Sequence, residues 1–304
     1  MQSQGRAEVL GSTPTGARRQ LKGFVRFLRA KPLGALGLGL ILVMALTAIF
    51  APLLAPYDPS STFSGQGQVG PFNGRFLLGT DWLGRDILSR IIFGARLSLI
   101  VGLSTVVLGI AAGTVIGIVS AYAGGTFDLA VQRVIDSISA FPALILAMVL
   151  VSIMSRGAFA VILALAIVNI PLTARTVRAA ALGIKEHEYI LAARAIGASG
   201  TRIVFFHILP NAMAPIIVLA SVTLGWAIVV EASLSFLGVG VPPNIPSLGG
   251  MLTGKALRFF VSSPHMAIFP GVALSLTVFG INLLGDALRD VLDPRLRGTG
   301  AGTT

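Results

Sequence analysis

The chain has no cysteine, three histidines and 12 acidic residues against 23 Lys and Arg in 304 positions. Without thiols it can form neither disulfides nor thiolate metal sites, and three scattered histidines offer no metal cluster. Charged residues make up 12% of the chain, about half the share usual in a soluble domain, while 54% are hydrophobic and mean hydropathy is +0.87. So little charge excludes an ordinary soluble domain and places the chain in the membrane class. The net charge of +11 could invite a nucleic-acid reading. Basic residues in so apolar a chain instead mark the cytoplasmic flanks of membrane spans, and no nucleic-acid partner is expected. No internal repeat and no low-complexity tract is found.

What is present is a set of charge-free runs. Residues 32–57, 97–127, 137–155, 157–174, 203–230 and 259–285 hold no Asp, Glu, Lys or Arg. Each is long enough, or nearly so, to cross a bilayer as a helix of about 20 residues. The fold predicted is an all-α membrane protein of six transmembrane helices. A further stretch, 232–254, carries Pro242, Pro243 and Pro246 and reads as an irregular outer loop or re-entrant segment. Pro142, Pro171, Pro215 and Pro270 lie in or at the mouths of the runs, where a freed carbonyl can kink a helix, and simple helix starts explain Pro142 and Pro215 equally well.

With the N-terminus inside, residues 1–32, 123–140, 175–207 and 286–304 face the cytoplasm and hold 16 of the 23 Lys and Arg, the bias expected of inner loops. The resulting division is a basic N-terminal segment (1–32), a first span (33–56), an outer loop (57–96), a five-helix core (97–288) containing an inner loop at 176–210, and a cytoplasmic tail (289–304). In the first segment Leu21, Phe24, Val25 and Leu28 repeat at helical spacing opposite Arg18, Arg19, Lys22, Arg26, Arg29 and Lys31. That pattern predicts an interfacial helix on anionic lipid. Asp81, Arg85, Asp86, Arg90 and Arg96 are spaced for local ion pairs at a helix start. Asp286, Arg289 and Asp290 form a second ion-pair cluster at the inner end of span six.

The inner loop carries the most specific pattern. From Glu186 to Asn211 it reads EHEYILAARAIGASGTRIVFFHILPN. Tyr189–Ile196 is predicted to be a short helix of alanines and Arg194, ended by Gly197 as a left-handed cap, with a second helical turn through Arg202 and His207 to Leu209 and Pro210. Small alanines allow another protein's backbone to come close. Glu231, which closes the fifth charge-free run, is an ionisable group near the outer end of a span and a candidate for the pathway or an outer gate. Contact with interfacial water or a basic neighbour is its alternative role.

The spacing of Ala192-Ala193, Gly197 and Leu209-Pro210 resembles the signature loop of membrane subunits in ATP-driven, binding-protein-dependent importers. Three more blocks, LLGTDWLGRDILSRIIFGARLSLIVG, EASLSFLGVGVPPNIPSLGGML and NLLGDALRDVLDPRLRG, are similar in order to the C-type permeases of dipeptide, oligopeptide and nickel importers. Leu191 departs from that pattern, standing where the family carries an acidic residue; Glu188 lies close enough to stand in for it.

The resemblance implies a type I importer permease whose coupling helix lies between spans four and five, formed by Glu188, Tyr189, Ala192, Ala193, Arg194 and Gly197 and ended by Leu209 and Pro210. It also implies a homologous second permease, two ATP-binding subunits that hold the ATP and Mg, an extracytoplasmic substrate-binding protein, and a prokaryotic inner-membrane location with both termini cytoplasmic. The expected cargo is di- or oligopeptides, with nickel or another small solute as the alternative. The chain itself is expected to bind no cofactor or metal and to contain no catalytic residue.

Three rivals are weaker. Gly249, Gly254 and Lys255 match a phosphate-binding loop, but Ala256 replaces its Ser or Thr and no strand precedes it. Ser199, in Gly-Ala-Ser-Gly, matches a membrane-protease nucleophile but lies between Arg194 and Arg202 on a loop rather than in a protected site. An ion-coupled carrier would place ionisable groups at midspan, and the six runs have none beyond His265 and, at an edge, Glu231.

Overall fold

The computed structural model describes residues 31–292, and no strand occurs among them. The predicted interfacial helix before Lys31 and the tail after Leu292 lie outside the described residues. Among the described residues twelve α-helices run in order: α1 (Pro32–Ile49), α2 (Ala51–Leu54), α3 (Ile87–Ala123), α4 (Gly125–Ser139), α5 (Ala143–Ile153), α6 (Ala158–Lys185), α7 (Glu188–Ala195), α8 (Gly200–Ile203), α9 (Leu209–Phe236), α10 (Leu248–Met251), α11 (Gly254–Arg258) and α12 (His265–Leu292). A π-helical turn, Val204–Ile208, joins α8 to α9 without a break.

Among the described residues five helices are long and apolar enough to cross a membrane, α1, α3, α6, the continuous 200–236 segment and α12, and the bent pair α4–α5 makes a sixth where it is taken as one broken span. The third charge-free run, expected as one span, is bent. α4 and α5 meet at 89°, and α5 has 11 residues, about 16 Å against a hydrocarbon core of about 30 Å. Pro142 is the reason. It has no N–H to continue α4 and disfavours helical dihedrals at Phe141, so α4 ends at Ser139 and Pro142 becomes the residue before α5. Pro171, Pro215 and Pro270 instead lie inside their helices. For Pro215 this replaces the helix start its position also allowed.

α3 begins at Ile87, so residues 87–96, counted with the outer loop from charge alone, are its first turns. Asp86 caps it: the carboxylate accepts from the Ser89 N–H (2.8 Å) and hydroxyl (2.6 Å), an arrangement typical of helix N-termini. Asp81, expected in local ion pairs, accepts from Arg85 Nε at 2.6 Å and lies 3.9 Å from Arg90 Nε. Ahead of it Tyr57, Phe63 and Phe76 pack with ring centroids 5.1–5.5 Å apart.

The bundle has two ends. α1 runs away from the end bearing α7, and Lys31 pairs with Asp290 at 2.7 Å, so both ends of the described chain lie there. α3 and α6 lie side by side and parallel. Gly109, Gly113 and Gly117 of α3 face Ala166, Thr173 and Ala174 of α6, a small-residue seam that lets two backbones touch. Leucines, valines and isoleucines are exposed along α1, α3, α5, α6 and α12, which suits lipid or a partner membrane chain rather than water.

Candidate functional site

At the α7 end, a cluster of Ile118, Ala121, Val177, Ala181, Ile203, Ile208 and Ala212 forms a platform. α7 buries Ile190 against it, with Ala193 also buried one helical turn on, and leaves Glu188, Leu191, Ala192 and Ala195 exposed on the opposite face. Glu188 in its first turn and Arg194 in its last complement the helix dipole.

Gly197 ends the helix with φ +84°. Its N–H donates to the Arg194 carbonyl (2.9 Å), and the Ala198 N–H reaches back to that of Ala193 (3.0 Å). These two bonds make a Schellman cap, which needs a left-handed residue where the sequence supplies glycine. A Cβ built on Gly197 meets nothing within 4 Å, so space beyond the cap is open.

Neighbouring helices orient this unit. Lys185 Nζ donates to the carbonyls of Ala121 and Tyr122, both at 3.1 Å, closing the C-terminus of α3. The Arg194 guanidinium lies 5.6 Å from the Tyr122 ring centroid. Tyr189 lies between His187 and His207, at 5.6 and 6.3 Å. Ser199, the rival nucleophile, caps α8 through the Arg202 N–H. Leu209 and Pro210 begin α9 directly from the π-turn, which absorbs the hydrogen bond that proline cannot donate. A second anchor, missed from sequence, binds α4 to α6: Arg178 donates to both Asp128 oxygens (2.7 and 2.5 Å) while Ser120 of α3 also donates to that carboxylate. Its members are 58 positions apart, beyond any local pattern.

Glu231 is placed elsewhere. Its side chain is fully buried between α3 and α9, with Ser98 donating to one oxygen (3.1 Å) and Ser235 to the other (2.9 Å). It faces the chain's own interior in this conformation, rather than an opening or interfacial water. Lys255 of the phosphate-loop match lies 3.4 Å above the Trp82 ring. His265, near Thr80 O at 3.3 Å, is buried. Among the described residues no three His, Cys, Asp or Glu side chains are grouped to hold a metal.

Residues 113–298 match the family described as binding-protein-dependent transport system inner membrane component, and residues 19–71 match the N-terminal TM domain of oligopeptide transport permease C. The chain belongs to this permease family. It is 44% identical over 273 residues to the glutathione transport system permease protein GsiD of Pectobacterium atrosepticum, covering 90% of each. It is 41% identical to the dipeptide transport system permease protein DppC of Alkalihalophilus pseudofirmus (89% and 88% covered) and 42% identical to the di/tripeptide transport system permease protein DppC of Pseudomonas aeruginosa (87% and 89%). In fold it resembles a chain of the inward-facing MetNI methionine ABC transporter, with TM-score 0.57 and 22% identity over 67% of this chain and 96% of that one. The chain is therefore a multi-pass membrane permease component of a transport system, and the ion-coupled carrier is set aside.

Ile190 fastens α7 to this permease. Ile190→Ala should weaken the docking of α7 by about 2–5 kcal/mol. Hydrogen exchange is expected to rise across 186–199 while α3 and α6 keep their protection.

Proposed function

We propose that this permease pairs with a homologous second permease and that α7 seats in a groove on one of two separate ATP-binding subunits. Those subunits hold the ATP and Mg, and an extracytoplasmic binding protein delivers di- or oligopeptides. The observation that carries this reading is the exposed face of Glu188, Leu191, Ala192 and Ala195 on a helix held rigidly by its buried face and its cap. Leu191 stands where an acidic residue is usual, so the partner groove is met there by apolar contact, with Glu188 one turn away supplying the charge. ATP-driven closure of the two ATPases would then move α7 and, through Lys185 and Arg194, the ends of α3 and α6, a rigid-body switch.

Orientation follows the same logic. Both ends of the described chain lie at the α7 end, the side to which the order of the charge-free runs assigns 16 of the 23 Lys and Arg, and we place that side in the cytoplasm. The names of the relatives, which specify dipeptide, di/tripeptide and glutathione transport, support a peptide cargo over nickel. We place Glu231 as a support of the outer half of the permease rather than in the pathway.

The test is Gly197→Trp. Its side chain projects into open space, so the cost to the bundle is that of a left-handed non-glycine residue, about 1 kcal/mol, while its bulk occupies the partner's side. Tagged wild-type chain purified gently from native membranes should bring an ATP-binding subunit and a second permease; the variant should keep the permease and shed the ATPase. Wild type arriving alone after crosslinking, or a variant that keeps the ATPase, overturns the reading.

A further inference from the structure

At the end opposite α7 the structure encloses a cavity of about 760 Å³ between the start of α3, the 237–247 loop and the α10–α11 segment, a volume typical of small-molecule sites. Its charge is one-sided. Arg85, Arg90, Arg156 and Lys255 line it, against Asp81 as the one acidic lining residue. Asp81 is shared: its carboxylate takes Arg85 Nε at 2.6 Å and lies 3.9 Å from Arg90. Asp86, nearby, has its carboxylate engaged by Ser89 at the α3 cap.

The two arginines are deep rather than on the rim, with side chains 11% and 5% exposed. Arg85 gives one further hydrogen bond, to Pro243 O at 3.4 Å, and Arg90 gives one, to Pro59 O at 3.1 Å. Each guanidinium has five N–H donors, so donors remain for an acceptor inside the cavity. Arg156 is exposed at the rim and makes no hydrogen bond or ion pair among the described residues. A buried cation excess is costly unless an anion completes it. Apolar groups, among them Trp82, Val241, Ile245 and Met251, line the same cavity, so a bare inorganic ion would leave most of it unmatched.

We propose that this cavity is a binding site for the C-terminal carboxylate of a short peptide, with the guanidinium groups of Arg90 and Arg156 receiving the carboxylate and the apolar wall taking the neighbouring side chain. Planar guanidinium groups suit a carboxylate, which can accept two parallel N–H bonds. The choice of peptide rests on the importer reading; the anion preference rests on the cavity alone.

The test measures binding directly. The full-length chain is purified in lipid nanodiscs with whatever subunits remain attached, and dialanine, dialaninamide and N-acetyl-Ala-Asp-Ala-amide are titrated calorimetrically. Dialanine should bind saturably, and dialaninamide, which lacks the carboxylate, should not. Arg156→Gln, which changes one exposed side chain that has no hydrogen bond or ion pair among the described residues, should bind dialanine at least about tenfold more weakly, the loss of one charge-assisted hydrogen bond, with an unchanged melting temperature. Equal binding of the amide, equal binding by the variant, or no dialanine binding overturns the proposal. So does equal binding of the internal-aspartate peptide, which would assign the cavity to an acidic side chain of a docked protein. The measurement needs neither ATP nor an attached ATPase, so its failure leaves the coupling reading standing, and loss of the ATPase partner leaves this site standing.

Discussion

Gly117→Val should abolish the folded chain. A Cβ at Gly117 would lie 2.5 Å from the Ala174 carbonyl oxygen and 3.0 Å from the Arg178 nitrogen of α6, both backbone atoms that no rotamer change can move. One turn away, a Cβ on Gly113 would lie 2.5 Å from Thr173 Cβ, so α6 cannot slide along the seam to make room. Two parallel helices in lipid are held by close van der Waals packing. Prising them apart costs about 3 kcal/mol or more and also strains the Arg178–Asp128 pair that positions α4. The expected result is loss of the monodisperse peak by fluorescence-detected size exclusion. Gly183→Ala is the control: it lies in the last turn of α6, its Cβ would meet nothing within 4 Å, and replacing the glycine there should be neutral or stabilising by at most about 0.5 kcal/mol. If both variants behave alike, the seam does not hold the bundle.

Glu231→Lys should be nearly as damaging, and Glu231→Gln nearly silent for folding. The carboxyl group is enclosed completely and is met by two hydroxyl donors, Ser98 and Ser235. Glutamine keeps an oxygen acceptor and the side-chain volume, so stability should hold within about 1 kcal/mol. Lysine places a buried cation against two serines with no carboxylate beside it, at a cost of about 3–5 kcal/mol. Melting temperatures of the three proteins in one detergent decide this. Transport then separates the roles: a Gln variant that folds and transports normally leaves Glu231 as a packing element, whereas one that folds and fails gives the charge a part in gating. A Lys variant as stable as wild type would show that the slot opens to solvent.

The pattern of charge-free runs and short-range capping was legible in the sequence because both depend on neighbours a few residues away. The capped helix before Gly197 follows from four consecutive positions of backbone geometry, and the start of α3 after Gly84-Arg85-Asp86 follows from one side chain reaching its own third N–H. Family membership was legible too, in blocks whose order the chain preserves.

Which way each helix faces was not. In a soluble helix the polar side marks the outside, but here lipid and core are both apolar, so α1 and α9 carry almost no stripe to read. Tertiary packing alone turned Glu231 inward and matched the glycines of α3 to α6. It also joined Asp128 to Arg178, and it gathered Arg90, Arg156 and Lys255 around one cavity. The bend at Pro142 lies between the two cases. The proline was visible, but a kinked span and a helix start read alike until α5 packed its Ala147 and Val151 against Val161 and Leu165 of α6. By itself, then, the sequence determined the elements, their ends and their family, because those are local or shared by descent. Only the tertiary structure decided their rotation about their own axes, because burial among apolar neighbours leaves no mark on a chain that is apolar throughout.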